Sequence, residues 1–155
     1  MIDNSKKWVI FDLDGTLANI ETRRKLATIR GKMDWDIFFS DILIQTDEPN
    51  QPVIDTCRAL DDAGYKIAIF SGRSASAKQV TTEWLRLHGV RWDILRMRPT
   101  ENKWKFMPDE KLKLQWLNEM DWKEDVMCVF DDRQKVVDMW REIGLTCMQV
   151  APGNF

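Results

Sequence analysis

Residues 8–16, Trp8-Val9-Ile10-Phe11-Asp12-Leu13-Asp14-Gly15-Thr16, set a short apolar run directly against two carboxylates, a glycine and a threonine. The run is rich in β-branched and aromatic side chains and bounded by polar residues, as a strand buried on both faces is. Side chains alternate along an extended chain, so Asp12 and Asp14 leave the strand end in the same direction. Outward from this strand the same pattern returns at Lys66–Phe70, Asp93–Met97, Val126–Phe130 and Thr146–Val150. Between these runs, Pro52–Ala63, Ala75–His88, Asp109–Met120 and Arg133–Ile143 carry apolar residues at helical spacing. Gly64, Gly89 and Gly144 each follow a helix and suit a left-handed cap.

Strands alternating with helices of this length predict an α/β fold of three layers, Rossmann-like, with a central parallel sheet and helices on both faces. Regular alternation fails only over residues 18–50. That stretch reads as one or two short helices, Ile20–Arg30 and Trp35–Leu43, with no strand of its own, and is expected to form a small helical cap insertion within one domain spanning residues 1–155. Ligands of such sheets bind beyond the carboxyl ends of the strands, where the strand order reverses. Three strand ends are rich in chemistry: Asp12 to Thr16 after the first, Ser71-Gly72-Arg73 after the second and Asp131-Asp132-Arg133 after the fourth.

Composition narrows the classes. Lys plus Arg number 23 against 25 Asp plus Glu, a net charge of −2, which excludes a uniformly basic nucleic-acid coat. Cys57, Cys128 and Cys147 show no metal-binding spacing and read as free thiols in a reducing compartment. No signal peptide and no membrane span is evident, so a cytoplasmic location is expected. Trp84, Trp116 and Trp140 lie in helical patterns and are expected in the core.

Paired carboxylates crowded at one strand end are costly unless a cation lies between them or one takes a proton. A hard cation with oxygen ligands answers that problem, and Asp131 and Asp132 offer two more carboxylates. Gly15 allows a tight turn and Thr16 adds a hydroxyl. Ser71, the Gly72 amide and Arg73 form an anion seat at the start of a helix, where phosphate oxygens bind well. A lysine on the helix of Asp109–Met120, Lys111 or Lys113, could add a fixed cation; Lys113 falls four residues after Asp109, within its reach. His88, the only histidine, sits at a helix end and reads as a cap, so no Ser-His-Asp triad is built around it. No phosphate-binding loop of the G-x-x-x-x-G-K-[ST] kind occurs. Two carboxylate pairs, an anion seat and a lysine on one sheet edge suit phosphoryl transfer through a carboxylate nucleophile.

These residues resemble the haloacid dehalogenase superfamily of phosphatases. Asp12-Leu13-Asp14-Gly15-Thr16 matches its D-x-D-G-T motif, Ser71 its second motif, a helical lysine its third and Asp131-Asp132 its fourth. Residues 129–155, with Arg23 eleven positions after Asp12, Asp34-Trp35-Asp36, Ser71-Gly72-Arg73 and Asp109/Lys113, are similar to the 3′-phosphatase domain of phage-type polynucleotide kinase-phosphatases. That likeness selects Lys113 over Lys111; the kinase domain of that family has no counterpart in these 155 residues.

The resemblance implies that Asp12 is the nucleophile, Asp14 the general acid and base, and Lys113 the catalytic cation. It also implies Mg²⁺ held by Asp12, the backbone carbonyl of Asp14 and Asp132, with Asp131 orienting that shell. Thr16, Arg23, Ser71, Gly72, Arg73 and Lys113 would bind the substrate phosphate. The implied substrate is a 3′-phosphate at a DNA or RNA end; a free nucleotide or small phosphomonoester is the alternative. The basic stretch Leu17–Met33, net +4, agrees with a nucleic-acid substrate. A separate kinase or ligase partner is compatible with it. A non-catalytic binding subunit is the reading from another class, and intact Asp12, Asp14 and Lys113 argue against it.

Overall fold

The computed structural model describes residues 5–155. The chain opens with β1 (Trp8–Phe11), then leaves the sheet for β2 (Ala18–Asn19), α1 (Glu21–Ala27), β3 (Thr28–Ile29), β4 (Lys32–Met33), α2 (Trp35–Phe38), α3 (Asp41–Gln45) and β5 (Glu48–Pro49). It returns through α4 (Gln51–Asp62), β6 (Lys66–Ser74), α5 (Lys78–Leu87) and β7 (Ile94–Arg98). It ends with α6 (Asn102–Lys105), α7 (Asp109–Glu119), β8 (Val126–Asp131), α8 (Gln134–Glu142) and β9 (Cys147–Gln149). Among the described residues, no helix is long and apolar enough to cross a membrane.

The five core strands form one parallel sheet in the order β7-β6-β1-β8-β9. Strand alternation sorts its two faces. Val9, Phe11, Ile67, Ile69, Cys128 and Phe130 pack with α4 and α5, through Ile54, Cys57, Trp84 and Leu85. Ile10, Ala68, Phe70 and Val129 pack with α7 and α8, through Leu112, Trp116, Val137 and Trp140. Three layers result, and both faces of the sheet are dry, which is why its strands read as continuous apolar runs. The expected tryptophans lie in this core and the three cysteines are buried and free.

The chain first adds strands on one side of β1 and then on the other, so the order reverses between β1 and β8. The carboxyl ends of β6, β1 and β8 are neighbours there, bringing Ser71, Asp12 and Asp131 to one edge. Strands β6 and β8 run past their apolar cores into the polar residues expected to follow them, and β6 is irregular between Ser71 and Ser74.

The segment over residues 18–50 departs from expectation. It contains short helices, but also strands: β2 pairs with β5, and β3 with β4. Two-residue strands carry no periodicity to read. The β3–β4 hairpin turns through Arg30 and Gly31, both with positive φ (51° and 76°), the geometry of the favoured two-residue hairpin loop. The predicted helix Trp35–Leu43 is broken at Phe39–Ser40 into α2 and α3.

Candidate active site

Asp12 follows β1 and is still tied to the sheet, its N–H donating to the Phe130 carbonyl at 2.9 Å. Both carboxylate oxygens are held. Lys113 Nζ donates to Oδ1 at 2.8 Å and Thr16 Oγ1 donates to Oδ2 at 2.9 Å. Lys113 also donates to Asp131 Oδ2 at 3.0 Å. Lys113, Asp12, Thr16, Asp131 and Asp132 are all buried. Burial first, and Asp131 next, push Asp12 well above the usual carboxylate range against the pull of Lys113. Burial opposes the charge on Lys113, but Asp12 and Asp131 outweigh it and keep the ammonium charged.

Oxygens of Asp12, Asp131 and Asp132 lie within 4.8 Å of one another. Asp131 is committed to the protein: Oδ1 accepts from the Asp132 and Arg133 amides, and Oδ2 from Lys113 and, at 3.5 Å, Trp140 Nε1. Asp132 is less engaged, and burial, then Asp131, raise its pKa to about 6. Its carboxylate lies against the backbone of Gly15, where a Cβ would come 2.1 Å from Oδ2. Gly15 also has φ +83°, so both the turn and the close approach require glycine. An all-oxygen acid cluster whose charges repel one another fits a hard divalent cation.

The Asp14 side chain turns away from that cluster. Its carboxylate accepts from Arg23 Nη2 at 2.6 Å and from Arg73 Nη2. Burial alone would raise its pKa, but Arg73 and Arg23 reverse this and hold it at about 2. Both arginines are almost wholly buried and both have further anchors. Arg23 donates Nε to Asp47 (3.0 and 3.1 Å) and Nη1 to the Phe38 carbonyl (3.0 Å); Arg73 donates Nη1 to Thr81 Oγ1 (2.8 Å).

Ser71 is buried, and its Oγ accepts from the Arg73 amide at 3.1 Å. Gly72 makes room for Asp109, whose Oδ1 would lie 2.5 Å from a Cβ there. Asp109 in turn accepts from Arg98 Nη2 and from Arg133 Nη1 (3.0 Å). Arg98 also donates to the carbonyls of Gly72, Trp104 and Met107.

The structure thus gathers Asp12, Thr16, Lys113, Asp131 and Asp132 by direct contact, and joins Asp14, Arg23 and Arg73 into a second unit beside them. Ser71 and Gly72 lie at the end of the strand next to β1. One expected contact is absent: Lys113 is held by Asp12 and Asp131, while Asp109 is held by arginines. His88 packs on Trp84 at the end of α5, ring centroids 4.3 Å apart. Asp47, Asp109, Arg98 and Arg133 anchor the charged groups, and their partners lie on other elements, beyond the reach of local spacing.

The model of the polynucleotide kinase PNKP phosphatase domain matches residues 6–155. The chain belongs to this family. A PNKP-type domain of this kind is a phosphatase, and its haloacid dehalogenase fold accounts for the sheet edge described above. A protein of Autographa californica nuclear polyhedrosis virus described as a bifunctional polynucleotide kinase/RNA ligase is 33% identical over 144 residues, covering 91% of this chain and 19% of that protein. A subunit in the structure of the Pnkp1/Rnl/Hen1 RNA repair complex superposes with a TM-score of 0.77 at 32% identity, over 99% of this chain and 45% of that one. The PNKP-type domain therefore spans less than half of either relative. A haloacid dehalogenase-like hydrolase from Streptococcus pneumoniae, 14% identical, shares the fold with a TM-score of 0.65 over 95% of this chain and 85% of its own.

Proposed function

We propose that this chain is a Mg²⁺-dependent phosphomonoesterase that removes 3′-phosphates from polynucleotide ends through an aspartyl-phosphate intermediate. The observation that carries the reading is the setting of Asp12, whose oxygens are fixed by Lys113 and Thr16 within a buried acid cluster. Asp12 Oδ attacks phosphorus, the ester bond to the leaving alcohol breaks, and Asp14 supplies that alcohol with a proton. Water then attacks the acyl-phosphate, Asp14 takes its proton, and phosphate and free Asp12 are restored.

Asp12 and Asp132 would hold Mg²⁺ through their side chains and Asp14 through its backbone carbonyl, with Asp131 fixing their positions through Lys113 and the amides after it. When bound, the ion neutralises phosphate charge and lets an anionic nucleophile approach. Ser71, the Gly72 amide, Lys113 and Thr16 surround the transferring group. Arg23 and Arg73 serve two anions in turn. Without substrate they hold Asp14 ionised; an entering phosphate competes for them, and an Asp14 relieved of guanidinium charge can carry the proton it must donate.

Residues 18–50 we read as a small cap that brings Arg23 to this edge within one phosphatase domain. The viral relative is described as a kinase and ligase and the structural relative sits in an RNA repair complex, which supports work beside such partners in end repair; a cytoplasmic location is part of the same proposal. The test is a substrate panel: 3′-phosphorylated oligonucleotides against free 3′- and 5′-mononucleotides, with Mg²⁺ and with EDTA. The highest kcat/KM is expected for the oligonucleotides, with loss in EDTA. Preference for free 5′-mononucleotides would select a nucleotidase instead.

A further inference from the structure

We propose that the exposed ring of Trp35 is the shelf on which the terminal nucleobase of the substrate stacks while its 3′-phosphate lies at Asp12; this rests on the polynucleotide reading above. In Asp34-Trp35-Asp36, Asp34 has a local task, accepting from the amides of Asp36 and Ile37 to cap α2. Trp35 has no such task and is 59% exposed, whereas Trp84, Trp116 and Trp140 are buried.

Its position is tied to the site by a short chain of contacts. Trp35, Phe38 and Phe39 share one helix face by their spacing of three and four. Trp35 meets Phe38 edge to face at 5.6 Å and lies nearly parallel to Phe39 at 5.9 Å. Phe38 carries Arg23 on its ring, the guanidinium carbon 4.3 Å from the centroid, and Arg23 grips Asp14. Trp35 therefore stands one aromatic ring beyond the arginine next to the group that meets the leaving sugar oxygen. On this reading the base of the nucleotide bearing that oxygen is assigned to this ring.

The surrounding charge suits the rest of such a strand. Lys25, Arg30 and Lys32, on α1 and the hairpin that leads into α2, are exposed and form no ion pair among the described residues. They can meet upstream phosphates, while an aromatic shelf accepts any base by its face.

The test compares a 3′-phosphorylated oligonucleotide with the same strand carrying an abasic 3′-terminal residue, using wild type, Trp35→Phe and Trp35→Ala. Loss of a base–aromatic stack is worth about fivefold to a hundredfold in affinity. Trp35→Ala is expected to raise KM for the ordinary strand by that order with kcat largely kept, and Trp35→Phe to retain most of the affinity. The abasic strand should show the raised KM already in wild type and no further rise in Trp35→Ala. Equal losses on both strands would mean that Trp35 only braces Phe38 and Arg23, and would overturn the shelf, as would no loss on either. If Trp35→Ala does not fold, Trp35→Leu gives the same comparison with apolar bulk kept against Phe38 and Phe39. A wild type that hydrolyses free nucleotides but no phosphorylated strand would instead overturn the functional reading itself.

Discussion

Lys113 shows how one residue joins stability to chemistry. It is 2% exposed and supplies the cation between two buried carboxylates, Asp12 and Asp131. Removing one partner of a buried ionic cluster costs about 3–5 kcal/mol, because the charges left behind have no compensation. Lys113→Met is therefore expected to lose about 3 kcal/mol in urea unfolding measured in EDTA, and to lose turnover; a loss under about 1 kcal/mol would show that the lysine is not holding the acids. Spacing alone left Lys111 and Lys113 as alternatives, and of the two it is Lys113 that is buried. Leu112, Trp116 and Leu117 mark the buried stripe of α7, and position 113 lies on it, three and four residues before Trp116 and Leu117, while Lys111 faces solvent. The roles of Asp47 and Arg98 had no such signal. Each is defined by partners on other elements, Arg23 for one and Asp109 and Gly72 for the other, and an isolated charge in a polar stretch reads as solvated.

At the scale of elements, the end of β9 and the segment after it brace Asp132. Gln149 Nε2 donates to the Asp132 carbonyl at 3.0 Å, and the Gly153 carbonyl accepts from the Gln134 amide at 2.8 Å. Gly153 is pressed so closely that a Cβ would come 1.9 Å from the Asp132 carbonyl oxygen. Since this clash is with backbone, Gly153→Ala must displace the peptide that carries a proposed Mg²⁺ ligand. A fall of about tenfold or more in Mg²⁺ affinity is expected, read from the Mg²⁺ dependence of thermal stability, with the fold intact. Unchanged affinity would show that the brace is idle. The long elements were legible because each buries a face and so shows a period. The pairs β2–β5 and β3–β4 were not, since two residues hold no period and their pairing is tertiary; Gly31 was the one local sign of the hairpin.

Across the whole molecule, the sheet places like charges together at its reversal point, and folding carries the cost. The pKa of Asp132, raised to about 6 against an ordinary 3.8, and that of Asp12, raised by burial and by Asp131, mean that the folded protein binds protons more tightly than the unfolded chain. Their contribution to stability is therefore least favourable above about pH 6 and improves as pH falls toward 4. In EDTA these groups should raise the melting temperature between pH 7.5 and pH 5, an increase that Asp132→Asn should reduce. With Mg²⁺ the protein should gain most at the higher pH; the opposite trends would mean that the acids are not in competition. The sequence placed Asp12, Ser71 and Asp131 at strand ends, but the order β7-β6-β1-β8-β9 that makes those ends neighbours is set by tertiary pairing and had no local signal. The central claim is that Asp12 receives the phosphoryl group. Its most direct test is the turnover of Asp12→Asn on a 3′-phosphorylated oligonucleotide with Mg²⁺, beside its melting curve. We predict a fall of at least about a thousandfold in kcat with folding retained; a folded variant working within tenfold of wild type would contradict the account.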